Sequence, residues 1–122
     1  MASKIAFSAT SPVTNDEVVA YESTLAAHRM KHVEPFTNEQ IMRCIEEPDV
    51  VARTGHAEEE HAERLLYYKD GQFTDGPPIM KAVVEHKETP GVLTSAFRTS
   101  RYSNDGSIVY MSSEYKERLT NG

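Results

Sequence analysis

Five histidines, at positions 28, 32, 56, 61 and 86, are the groups of this chain whose charge changes near neutral pH. His28 and His32 lie four apart, a spacing that sets both on one side of a helix. As metal ligands they would need third and fourth partners, which His56, His61 or the run Glu58-Glu59-Glu60 could supply. The pair is not a HExxH motif, because Arg29 follows His28. Two surface histidines on a polar helix face are common, so no metal and no cofactor is assigned. As acid–base groups the same histidines suit another chemistry. Arg98, Thr99, Arg101 and Tyr102 cluster past an apolar segment, with Lys81 and His86 on its neighbour. Cleavage of a phosphodiester by the RNA 2′-hydroxyl needs a base, an acid and a cation for charge developing at phosphorus. Histidine with arginine, threonine and tyrosine meets that need; the plain alternative is that Arg98 and Arg101 only solubilise a hairpin. His56 and His61 are five apart and do not stack on a helix, so with the glutamates they read as a solvated face. There is no Gly-rich phosphate loop, no GxSxG, no CxxC and no aromatic-basic RNA-binding signature.

The elements that must hold these groups follow from hydrophobic period and turn chemistry. Lys4 to Ala9 reads as an edge strand or arm, within a segment 1–13 that a Ser/Thr/Pro cluster closes. Thr14 with Glu17 forms a capping-box pattern ahead of Val18, Val19, Leu25, Ala26 and Met30, which predicts a helix over 15–31. A second capping box, Thr37 with Gln40, opens a shorter helix carrying Ile41, Met42, Cys44 and Ile45, and Pro48 ends it. Ala52 to Glu63 is ambiguous between helix and loop. Strands are expected at Leu65–Tyr68, Met80–Val84, Val92–Phe97 and Ser107–Met111, separated by Asp70-Gly71, Pro90-Gly91 and Asn104-Asp105-Gly106. Residues 113–122 form a polar tail with at most a frayed helical turn. The expected fold class is α+β: N-terminal helices packed on a three- to four-stranded antiparallel sheet in meander order.

Composition bounds these readings. A chain of 122 residues with 39% hydrophobic content builds one modest core, so 1–122 is taken as a single domain. Cys44, the one cysteine, has no disulfide partner and reads as a buried structural thiol. No leader-like h-region or membrane-length apolar stretch is visible, so the expected location is cytoplasmic with no membrane partner. The net charge of −6 is uneven. Residues 1–78 hold seven Lys/Arg against fourteen Asp/Glu, and the remainder six against five. An acidic chain is a poor nonspecific binder of nucleic acid, so RNA chemistry would have to sit in a local cationic pocket.

The stretch from His32-Val33 through Thr37-Asn38-Glu39-Gln40-Ile41 to Glu47-Pro48-Asp49-Val50-Val51 resembles the opening of the phage-associated barnase/EndoU/colicin/RelE-like (BECR) nuclease families. In those families a histidine-bearing helix precedes a short helix that stops at an "nPd-V" element. Met80-Lys81-Ala82-Val83-Val84 and Gly91-Val92-Leu93-Thr94-Ser95-Ala96-Phe97 look like their paired central strands, so the resemblance spans roughly residues 28–112. It implies a BECR-like fold and metal-independent RNA cleavage, often as a toxin, with His32 or His28 as acid–base group. Thr94 falls in the strand motif, and Arg98 and Thr99 follow where such families often place catalytic polar residues. Lys81, Arg101 and Tyr102 would then bind the substrate. The overall acidity and the long acidic 52–63 segment depart from the pattern. They motivate the alternative of a non-enzymatic acidic protein that docks on a basic protein surface.

Overall fold

The computed structural model describes residues 4–31, 35–53, 64–102 and 108–121. Along the chain run β1 (Ile5–Thr10), β2 (Glu17–Tyr21), α1 (Glu22–Lys31), α2 (Asn38–Glu46), β3 (Val50–Arg53), β4 (Arg64–Lys69), β5 (Ile79–Glu85), β6 (Gly91–Thr99), β7 (Ile108–Met111) and α3 (Ser113–Asn121). All seven strands join one sheet in the order β1-β2-β6-β5-β4-β3-β7. Neighbours are antiparallel except β2 and β6, which pair in parallel with Val18 opposite Gly91 and Val19 opposite Val92.

This overturns the expected helices on a three- to four-stranded antiparallel sheet, and the BECR-like architecture with it: the fold is mainly β, one mixed sheet with short helices. Three local facts account for the difference. Thr14 does not cap a helix; its Oγ1 accepts from the Asp16 amide at 3.2 Å, and Asn15 takes a left-handed φ of 61°. The Ser11 amide donates to the Asp16 carbonyl at 3.0 Å and closes a hairpin loop. Val18, Val19 and Ala20 are then all buried, which suits a strand covered on both faces, and the helix starts only at Glu22. Next, Val50 to Arg53 is a strand in its own right, paired with β4. Finally, β7 does not join β6 as a fourth meander strand; it crosses to β3, with Val50 opposite Met111 and Val51 opposite Tyr110.

The second helix forms as its sequence predicts. Thr37 Oγ1 accepts from the Gln40 amide at 3.2 Å while Gln40 Oε1 accepts from the Thr37 amide at 2.9 Å, so both orphan donors are satisfied. Its apolar side buries Ile41, Cys44 and Ile45, each isoleucine contributing on the order of 2 kcal/mol of transfer free energy. The α2 helix touches β1, β4 and β5. On a flat sheet β1 and β4 would lie about 19 Å apart, beyond a nine-residue helix of about 13.5 Å, so the sheet curls around α2. The inner face carries Phe7, Val18, Leu65, Tyr67, Met80, Val84 and Leu93 into the main core. On the outer face, Val50, Leu66, Tyr68 and Ile79 form a second, smaller cluster against Tyr102 and Tyr115. Cys44 is wholly buried, its Sγ donating to the carbonyls of Tyr67 and Met80, and burial pushes the thiol far above its usual range. Among the described residues no helix is long and apolar enough to cross a membrane.

Candidate functional site

The outer sheet face gathers cations and aromatic rings in one run. Strand alternation sets Tyr68, Lys81 and Phe97 side by side, since Tyr68 pairs with Lys81 and Lys81 with Phe97. The Lys81 ammonium lies 5.4 Å from the Tyr68 ring centre and 5.2 Å from that of Phe97, both within cation–π reach. Tyr68 continues edge-to-face into Tyr102 (5.3 Å, 65°) and Tyr102 into Tyr115 of α3 (5.5 Å, 68°). Arg118 stands over Tyr115 at 5.3 Å. Tyr68 is the buried floor, whereas Lys81, Phe97, Tyr102 and Tyr115 are half-buried. No carboxylate among the described residues pairs with Lys81 or Arg101. A locally cationic, aromatic surface thus stands on an acidic protein. Such a surface has the groups that suit a polyanion whose flat parts stack.

Of the predicted substrate-binding residues, Arg101 and Tyr102 line one cavity with Tyr68, and Lys81 stands over that tyrosine's ring; Thr99 lies on the same face opposite Ile79, its Oγ1 donating to the Arg101 carbonyl at 3.2 Å. Arg98 does not join them. β6 extends through Thr99, so adjacent residues alternate, and Arg98 lies opposite the buried Met80 on the inner side. Its Nε donates to the Pro77 carbonyl and its Nη1 to the Pro35 carbonyl, each at 3.0 Å, and its Nη2 donates to the Asp75 carbonyl. The guanidinium also covers the Phe73 ring at 3.7 Å. Thr94 sits at the bulge between β5 and β6 and donates to the Val83 carbonyl at 3.2 Å. His28 falls near the C-terminal end of α1; its side chain and the whole of His32, His56, His61 and the Glu58–Glu60 run lie outside the described residues. Among the described residues no group of three or more His, Cys, Asp and Glu could hold a metal.

On the inner face a second polar constellation crosses the core. The Tyr67 hydroxyl is 2.5 Å from Ser11 Oγ and 2.8 Å from His86 Nε2. Ser11 and Tyr67 are fully buried. The His86 ring lies close over Gly91, where an added Cβ would meet Nδ1 at 3.0 Å and the ring would have to give by a few tenths of an ångström. Burial, partly offset by the Ser11 hydroxyl, moves Tyr67 from an ordinary 10.0 up to about 12. Tyr67→Phe is expected to lower stability by about 1.5 kcal/mol, seen as a lower denaturation midpoint at unchanged slope. The pH dependence has a fixed sign. A folded-state pKa above the unfolded one adds stability that is whole below pH 10 and is lost as pH rises through about 12. The gap between wild type and Tyr67→Phe should therefore narrow across that window; a gap independent of pH would sink the assignment.

Ring partners Tyr68, Phe97 and Tyr115 were not legible as site residues, because 113–122 reads as a polar tail where the structure has the helix α3, and the other two read as strand core. The alternation that aligns Lys81 with two rings was present in the sequence, but only the register of three strands reveals it. No protein family, no curated protein and no solved structure matches this chain.

Proposed function

We propose that the outer face binds single-stranded RNA and is the substrate surface of a metal-independent ribonuclease. The observation that carries the binding half is the Lys81 ammonium held between Tyr68 and Phe97, continuous with Tyr102 and Tyr115. Rings accept stacked bases at about 1–3 kcal/mol each, and cations along the run take the phosphates. Cleavage itself draws on residue types alone, with His28 and His32 as the acid–base groups. One histidine removes the proton of the 2′-hydroxyl, the oxygen closes on phosphorus, and the P–O5′ bond breaks as the other histidine protonates the leaving oxygen. Lys81 and Arg101, cations of this face without a carboxylate partner among the described residues, can offset the charge on phosphorus.

Fluorescence anisotropy with a labelled single-stranded RNA tests binding. Lys81→Ala should weaken it about tenfold at low salt and reduce the salt slope by about one. Incubation of RNA with EDTA tests cleavage, which His28→Ala or His32→Ala should abolish. Equal affinity of wild type and Lys81→Ala for RNA refutes the binding surface. Intact RNA across a broad panel refutes the nuclease.

A further inference from the structure

Beside the cation–ring run, between the sheet and α3, lies a cavity of roughly 330 Å³. Val50, Ala52 and Tyr68 form its floor, Tyr102 and Tyr115 its walls, and the exposed Arg101 is at its rim. We infer that this cavity is a base pocket: it seats one nucleobase of the bound strand against Tyr102 and Tyr115, which meet edge-to-face at its side, with Arg101 on the adjoining phosphate. The inference rests on the RNA reading and adds where a single nucleotide is held.

Three observations select that ligand. The size is at the small end of ligand cavities, which admits one ring system and not a dinucleotide. The walls are aromatic and the floor apolar, so the ligand must be flat and lose little on leaving water. The rim cation has no carboxylate partner among the described residues, so the ligand should carry an anion next to its ring. A nucleoside monophosphate has all three properties.

Tyr102 adds a fourth point. Its hydroxyl is buried with no hydrogen-bond partner among the described residues. Burial first, then the nearby Asp49 and Asp70, raise its pKa well above the usual tyrosine range, so it stays a neutral donor. A small turn of the ring toward the cavity would let a base nitrogen or carbonyl accept from it. The free protein then bears an unsatisfied hydroxyl that the ligand satisfies.

The test is titration of the full chain with each of the four ribonucleoside 5′-monophosphates and with ribose 5-phosphate, followed by calorimetry and by amide shifts at Ala52, Tyr102, Ile108 and Tyr115. At least one nucleotide should saturate those shifts while ribose 5-phosphate leaves them unmoved. Tyr102→Phe should raise the melting temperature, because the orphan hydroxyl is gone, and weaken that nucleotide about fivefold. Arg101→Ala should weaken the nucleotide but not its nucleoside. If RNA binds while no nucleotide moves these residues, the pocket is refuted and the RNA surface stands. If neither RNA nor nucleotide binds, both are refuted. Equal nucleotide affinity in Tyr102→Phe, or equal shifts from ribose 5-phosphate, also overturns the inference.

Discussion

Asp49→Ala is expected to lower the unfolding free energy by about 3 kcal/mol, the scale for emptying one side of a buried charged network. The Asp49 carboxylate is almost wholly enclosed at 3% exposure. Its Oδ2 accepts from the Asp70 amide at 2.8 Å, and its Oδ1 faces Arg118 Nη2 at 3.3 Å and Lys69 Nζ at 3.9 Å. Arg118 is 53% exposed, so that ion pair alone contributes little. The larger share comes from the enclosed hydrogen bond to the turn after β4, which alanine leaves unmade. Backbone links persist in the variant: the Asp49 amide still donates to the Tyr68 carbonyl, and its carbonyl still accepts from Ser112. Asp49→Asn keeps an acceptor for Asp70 and should recover about half the loss. Urea denaturation followed by tyrosine fluorescence decides this, and an unchanged midpoint in Asp49→Ala would show the network to be incidental.

Arg98→Ala is expected to cost about 2 kcal/mol and to leave RNA affinity intact, because three carbonyls occupy its guanidinium and each charged hydrogen bond is discounted for partial exposure. The residue ties the β4–β5 connection to the segment ahead of α2. Gly76, at φ 76°, lets Nη2 approach: an added Cβ there would stand 3.3 Å away. Arg98→Lys should not restore stability, since an ammonium lacks the planar fork that reaches three acceptors at once. Thermal melts paired with RNA binding separate the alternatives. Unchanged stability with lost RNA cleavage would return Arg98 to the catalytic machinery.

The sequence made some elements visible and hid others for physical reasons. α2 was readable because Thr37 and Gln40 satisfy each other within one turn, a local event. β5 was readable from apolar alternation, and β4 and β6 from apolar and aromatic runs, with glycine and proline turns marking their limits. β2 was not, since Thr14 and Glu17 fit a capping box on paper while Val18 and Val19 are drawn into the sheet by β6, a partner far along the chain. The candidate site divided in the same way. Lys81, Arg101 and Tyr102 could be grouped by type and nearness to turns, but Arg98 and Thr99 could not be sorted until β6 was known to reach Thr99 and turn them to opposite faces. Asp49, read as part of a short motif, owes its burial to Asp70, Lys69 and Arg118, which no local pattern connects.

The parallel pairing of β2 with β6 also sets an order of events. It joins positions separated by roughly seventy residues, and closing so long a loop must precede any gain from the contact. During synthesis β2 emerges well before β6, its inward partner. Until then the β2 edge stays open to any other strand that passes, the circumstance in which chains mispair or associate. The β4-β5-β6 meander can form from neighbours alone and so has a kinetic lead. On this topology two long-range pairings, β2 with β6 and β3 with β7, must both close around the local meander before the sheet is complete.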